Sequence, residues 1–410
     1  MNIVFFSTYL FGGAGSSAKA IVSKLNDFGH KASILYRFGN KTEAHEICTD
    51  KWYSQDQLNR AMSAGMKDLY YHDSNENCVS WQNLLQSIPA NPDVFVLFWY
   101  SQFLNNKLIS DLYKQYKVPI VVFMADNAII TGGCHFSVNC DRYNRGCGSC
   151  PQINSVLPED ISFLNLKEKK EVFKDIPLHI IAPSKYQLNL VEKSQIPYSS
   201  VQTQVLGFPL KKINTSEIEE KYSTKTKLEF FWSASFLNEL RKGLPIFFDA
   251  ITHLDEFFPE YAKKIRVKLI GLNATKLKKR LNHIELNLFE SLPVAEFENE
   301  LRSSHFYLNT SIDDAGPGTM MRAINYGLIP ISFTTGIAID IVKPKNGILL
   351  DSFSYLDLSK AIRDAMDFSK EQLISMSMQS LQIAKDVMDE EKTFQGFTEK
   401  LSEIIEHHRS

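Results

Sequence analysis

Four of the six cysteines, Cys134, Cys140, Cys147 and Cys150, share one short stretch with the spacing C-x5-C-x6-C-x2-C. Four thiolates are what a closed tetrahedral zinc site takes, and a pair spaced like Cys147 and Cys150 is common in such sites. The first pair is wider than is usual. The stretch from Thr131 to Gln152 is polar and Gly-rich, with little apolar content to fold it, and a metal would remedy that. Three readings stay open: a structural zinc, reduced packing cysteines or disulfides, and a redox or iron–sulfur role. His135 can replace a cysteine as ligand, although a lone histidine is commonly a surface or core residue. Four thiolates leave no open coordination position, so a zinc here would be structural.

Other chemistry-bearing residues lie at the ends of apolar runs. Arg241-Lys242-Gly243 places two cations where a diphosphate would suit them, Arg as a bidentate donor and Lys as a point charge. The plain alternative is a solvated pair at a helix start, but cations there oppose the macrodipole, a conflict that a bound anion resolves. In Asp313-Asp314-Ala315-Gly316-Pro317-Gly318-Thr319, the residues Gly316, Gly318 and Thr319 make a nest for phosphate or ribose oxygens. Asp314 would hold ribose hydroxyls there; a capped turn is the alternative. Near the amino end, Gly12, Gly13 and Ser16 open a helix as a phosphate or acceptor loop, or simply as a turn. The pattern Gly12-Gly13-x-Gly15 is not the dinucleotide fingerprint. Asp126, at a strand end, is placed for a general base or hydroxyl-binding carboxylate, with a helix N-cap as the alternative.

The elements that must position these residues alternate. Apolar runs at Ile3–Ser7, Lys31–Leu35, Val94–Phe98, Val118–Met124 and His179–Ala182 read as strands. Helical patterns occur at Ser16–Phe28, 57–71, 81–88, Leu104–Tyr116 and from Lys185, capped by Ser184. Residues 205–227 lose apolar periodicity and gain charge, which marks a linker. The alternation then restarts, with strands at Leu228–Ser235, Val267–Ile270, His305–Asn309 and Leu328–Ser332 and helices between them. The fold class is α/β: two Rossmann-like, doubly wound parallel domains facing a cleft. The expected domains are 1–205, with a Cys-rich insert at 131–152, and 206–390. A final helix at 391–410, with Phe394, Phe397, Leu401, Ile404 and Ile405 as its apolar stripe, packs back on the first domain.

At 410 residues the chain is too long for one core. With 45 basic and 47 acidic residues it gives no electrostatic reason to expect nucleic acid. The start, MNIVFFSTYLFGG, reads as a first strand and not as a signal peptide, and no apolar run is long enough to span a membrane. The expected location is therefore cytoplasmic, where thiols stay reduced.

Taken together, these stretches resemble glycosyltransferase family 4, the retaining nucleotide-sugar-dependent transferases of GT-B fold. The resemblance is closest to a subgroup of bacterial capsule, exopolysaccharide and O-antigen transferases that carry a TGGCH…C…GCGxCPQ segment. Here that segment is Thr131–His135, Cys140 and Gly146–Gln152. Ala182-Pro183-Ser184-Lys185 resembles the family's strand-to-helix turn, and Glu239-Leu240-Arg241-Lys242-Gly243 its diphosphate-binding segment. Ala323-Ile324-Asn325-Tyr326-Gly327-Leu328-Ile329-Pro330 resembles the donor helix. Thr335-Gly336, Asp340-Ile341-Val342 and Asn346-Gly347 are similar to the segment after it. Three departures stand out. The family's paired glutamates, eight positions apart, fall on Asp314 and Arg322; Arg322 cannot accept hydroxyl protons but can contact donor phosphates. Phe236 stands where many members carry a basic residue, and Ala125 where many carry a histidine.

The resemblance implies a transferase that takes a UDP- or GDP-sugar and moves the sugar, with retention, to a glycan or lipid-linked acceptor. Arg241, Lys242 and the Gly316–Thr319 loop would meet the donor diphosphate, and Arg322 its phosphates. Gly12, Gly13, Ser16 and Asp126 would face the acceptor. No catalytic metal is expected, and peripheral association with the inner face of the plasma membrane is. The competing reading is a degenerate GT-B protein that binds a sugar nucleotide or a partner transferase without turnover.

Overall fold

Strands that read as unbroken apolar runs, such as Val94–Leu97 and Ile120–Phe123, have every residue buried. A strand buried on both faces needs cover on both sides, which is the situation of parallel α/β sheets. The computed structural model describes residues 1–49, 78–207, 209–223, 226–316 and 318–410. The helical pattern expected at 57–71 lies outside them. The described chain divides into two compact units, Met1–Gln204 with Phe394–Ser410, and Val205–Thr393.

The first unit holds a seven-stranded sheet in the order β3-β2-β1-β4-β5-β6-β7. Its strands are β1 (Asn2–Tyr9), β2 (Lys31–Phe38), β3 (Glu46–Cys48), β4 (Val94–Leu97), β5 (Ile120–Phe123), β6 (Leu178–Ala182) and β7 (Ser200–Thr203). Every adjacent pair is parallel. The order reverses between β1 and β4, which makes the gap beyond their carboxyl ends the switch point where such sheets bind ligands. Helices are started by local chemistry: Asn105, Asp160 and Ser184 each accept a backbone N–H of the helix they precede. The last helix, Glu390–Arg409, buries Phe394, Phe397, Leu401, Ile404 and Ile405. Phe394 packs on Phe28 at 5.2 Å and Phe397 on Phe123 at 6.2 Å between ring centroids. His408 Nε2 lies 2.9 Å from the Lys117 carbonyl, and Arg409 pairs with Asp93.

The second unit holds a six-stranded sheet in the order β10-β9-β8-β11-β12-β13. These are β8 (Leu228–Phe236), β9 (Ile265–Leu272), β10 (Glu285–Phe289), β11 (Phe306–Asn309), β12 (Ile329–Phe333) and β13 (Ile348–Leu350), again all parallel. Here the switch point lies between β8 and β11. Its core is separate from that of the first unit and centres on Phe230, Trp232, Phe247, Phe306 and Phe333.

Several expected boundaries move. The first helix starts at Gly12, not Ser16, so the glycines form its opening turn. The segment expected to be a linker contains the helix Thr215–Ser223, of which only Ile218 is buried. Arg241 and Lys242 do not open a helix. They lie in a 3-10 turn, Leu240–Lys242, and the helix Leu244–Phe257 begins after Gly243. The edge strands β3, β7, β10 and β13 were not anticipated. Among the described residues, no helix is long and apolar enough to cross a membrane.

Candidate functional site

In the second unit the chain leaving β8 and the chain leaving β11 are locked together at the switch point. The Ile312 amide donates to the Arg241 carbonyl at 2.7 Å, and the Thr310 hydroxyl donates to the Lys242 carbonyl at 2.8 Å. The Trp232 indole N–H in turn donates to Thr310 Oγ1 at 2.8 Å. Gly243 makes the close approach possible, with φ +70° and a virtual Cβ only 2.0 Å from the Thr310 carbonyl oxygen. The turn can hold Arg241 and Lys242 here because nothing but a hydrogen fits at Gly243.

The side chains then converge. Asp314 Oδ2 lies 2.5 Å from Lys242 Nζ and 3.0 Å from Arg241 Nη1, and Arg241 Nη2 lies 2.7 Å from Glu239 Oε2. All four are largely buried, so each charge needs its partner. Burial alone would push the Asp314 carboxyl up, but Lys242 and Arg241 outweigh it and hold the group below its ordinary value. The other Asp314 oxygen accepts the Gly316 amide at 3.1 Å. Both Asp314 oxygens are thus engaged within the protein, and the carboxylate braces the two cations.

The remaining second-unit candidates are grouped less tightly. Gly318 and Thr319 open the helix Gly318–Asn325, so their amides have no partner within that helix. The Thr319 hydroxyl bonds the phenol of Tyr307 from β11. Arg322, in the last turn of the same helix, is half-buried and acts electrostatically on Glu298. Asn325 ties the approach to this unit, donating to the Pro209 carbonyl and accepting the Lys211 amide.

In the first unit, Gly12, Gly13 and Ser16 form the exposed opening turn of the helix Gly12–Asp27, directly beyond β1. Gly15 is the glycine that packing demands, with a virtual Cβ 2.3 Å from the Tyr9 carbonyl oxygen. The turn is fixed against β4 by Thr8, whose amide and hydroxyl both donate to Trp99 O.

Asp126 does not stand open to an acceptor, and it caps no helix. It is buried, one oxygen accepts the Ala128 amide at 2.8 Å, and the other lies 2.6 Å from His135 Nδ1. The His135 ring stacks flat on Trp99, 4.2 Å between centroids and 3° from parallel. Asp126 is thus a positioning group that joins the end of β5 to the cysteine segment and to the end of β4. Lys169, buried on the helix Ile161–Lys174, reinforces the junction with donations to the Ala128 carbonyl at 2.5 Å and the Thr131 carbonyl at 2.6 Å. Burial pulls its ammonium down to about 8. Sequence reading missed Lys169, although it falls with Ser162, Leu166 and Phe173 on one helical stripe, where a lysine is out of place. It also missed Trp99, which carries no motif, and the pairing of Glu239 with Arg241.

The four cysteines come together. Cys134, Cys140, Cys147 and Cys150 all line one small cavity with Thr131, Arg142 and Tyr143. Cys134 is hydrogen-bonded to Cys150, which also accepts the Gln152 and Ile153 amides and is drawn down to about 6. The same contact, with burial, raises Cys134.

Two doubly wound parallel units in tandem make this the GT-B fold of glycosyltransferases. The sequence matches no family model and no curated protein. The fold is similar to that of sucrose-phosphate synthase from Thermosynechococcus elongatus, with TM-score 0.68 and 9% identity over 99% of both chains. It is similar to Anabaena HepE in complex with UDP-glucose, with TM-score 0.63 and 14% identity over 98% of this chain and 100% of that one. It also resembles WaaG, a glycosyltransferase involved in lipopolysaccharide biosynthesis, with TM-score 0.62 and 17% identity over 96% and 98% of the two chains.

Proposed function

We propose that the protein is a retaining glycosyltransferase, of the family 4 capsule and O-antigen subgroup, that moves a sugar from a UDP- or GDP-linked donor to a glycan or lipid-linked acceptor in surface polysaccharide synthesis. The observation that carries the reading is the Arg241–Lys242–Asp314 cluster at the β8/β11 switch point, where one buried carboxylate immobilises two cations. The UDP-glucose bound to HepE supports a uridine donor. Domains 1–205 and 206–390 divide the work between acceptor and donor, and the enzyme works in the cytoplasm, at the inner face of the plasma membrane.

In the reaction, the acceptor oxygen bonds to the anomeric carbon on the face from which the diphosphate oxygen departs. The acceptor proton passes to a phosphate oxygen of the leaving nucleoside diphosphate. Charge grows on that leaving group, and Arg241, Lys242 and the Gly318 and Thr319 amides stabilise it without a catalytic metal, with Gly316 shaping the loop. Arg322 adds a further positive charge beside the donor phosphates. Gly12, Gly13 and Ser16 offer amides to the acceptor, while Asp126 orders the neighbouring chain.

A second reading, a non-catalytic binder of sugar nucleotides, is favoured by one residue: Arg322 stands where the family carries a glutamate. Donor consumption assayed across UDP- and GDP-sugars separates the two. Release of nucleoside diphosphate from at least one donor supports the transferase. Measurable nucleotide binding with no donor consumed establishes the binder.

A further inference from the structure

The cysteine segment takes no part in the proposed reaction, yet it is built as a site. Between β5 and the helix Ile161–Lys174 the chain forms two short 3-10 turns, Arg142–Arg145 and Pro151–Ile153, and no strand. Val138, Asn139, Cys147 and Ser149 all adopt positive φ, 44°, 66°, 62° and 45°. That backbone is unfavourable for side-chain-bearing residues, above all β-branched Val138, and persists only where something over-determines it. Within 131–152 the large apolar side chains that are buried are Phe136 and Tyr143.

We propose that Cys134, Cys140, Cys147 and Cys150 together bind one zinc ion, which folds this segment and through Cys134 holds the His135–Asp126 pair at the end of β5. All four residues line the same cavity. As the side chains stand, no three among the described residues are closed into ligating geometry; the ion draws in thiols that already surround the cavity.

The surroundings suit a tetrathiolate. With all four sulfurs bound as thiolates, the centre carries a formal charge of −2. Arg142 lies at the cavity wall with Nη1 bonded to the Gly148 carbonyl at 3.3 Å, and the buried Lys169 lies within electrostatic reach of Cys147 and Cys134. Two cations thus offset the two negative charges. Backbone amides already point at sulfur, Gly132 at Cys147 and Gln152 and Ile153 at Cys150. The outer layer is ordered as well. Asp160 accepts the Cys150 amide at 2.7 Å and the Ser162 hydroxyl at 2.5 Å, and Ser162 accepts the Gly148 amide at 3.1 Å. Such outer partners fix ligand orientation in metal sites.

The inference does not depend on the transferase reading, and its test does not use activity. Protein purified without chelators is expected to hold about one zinc per chain, given how tightly such sites bind. Titration with an organomercurial in the presence of a metal indicator should release that zinc as four thiols react, with Cys48 and Cys78 as the remaining thiols. The Cys140→Ser and Cys147→Ser variants should each lose the metal, and Cys48→Ser should keep it. Cobalt(II) in place of zinc should give the intense visible bands of tetrahedral sulfur coordination. Should the variants fail to fold, the wild-type titration and the cobalt spectrum still decide. Less than about 0.2 zinc per chain after incubation with the ion, weak octahedral cobalt bands, or disulfides among these four cysteines would overturn the proposal.

Discussion

Gly243 carries more of the account than its lack of a side chain suggests. Its φ of +70° and the 2.0 Å approach to Thr310 O let the turn of Arg241 and Lys242 seat on the end of β11. Gly243→Ala should cost about 1–3 kcal/mol, since strain and a backbone clash combine there. Denaturant unfolding of the variant measures this, and an unchanged midpoint would contradict the seating. At this scale the sequence was half legible. Arg241, Lys242 and Asp314 were each singled out by residue type and position. Their mutual pairing, across 72 residues of chain, was not, because spacing says nothing about which loop ends share a switch point. Asp126 was legible as a strand-end carboxylate, whereas its partner His135 and the Trp99 ring beneath it depend on three separate segments meeting.

At the scale of elements, the cysteine segment is braced by the helix Ile161–Lys174. Lys169→Met keeps the length of the side chain but abandons the carbonyls of Ala128 and Thr131, and should lower stability by about 2–3 kcal/mol. A second element, β6, carries a pH dependence. Burial, with His408 and His407 nearby, lowers His179 from 6.5 to about 4. The unfolded chain therefore takes up a proton below pH 6.5 that the folded chain refuses. Stability should fall as pH drops from about 6.5 towards 4, by up to about 1.4 kcal/mol per pH unit. Thermal melts of wild type and His179→Gln over that range check it; curves that fall in parallel would remove His179 as the cause. The central strands were legible because both of their faces are buried, which leaves unbroken apolar runs. The edge strands β7 and β10 were not, since their residues are mostly half-exposed and their sequences, SVQT and ELNLF, carry no such run. The helix Thr215–Ser223 hid for the same reason, with only Ile218 buried.

At the scale of the whole molecule, the chain is two parallel-sheet units with separate cores, and each places its chemistry beyond the carboxyl ends of its strands at its own switch point. The second unit gathers cations there; the first presents an open helix start and, beside it, the braced His135–Asp126 junction. The central claim is that Arg241 and Lys242 hold the diphosphate of a nucleotide sugar while its charge develops. The most direct measurement is single-turnover donor cleavage by Lys242→Ala, beside wild type, with a melting curve to confirm that the variant is folded. The account predicts a rate lower by about 10²-fold, or about 2.7 kcal/mol, the scale of losing one charge-stabilising group. A folded variant that cleaves donor at nearly the wild-type rate would contradict it.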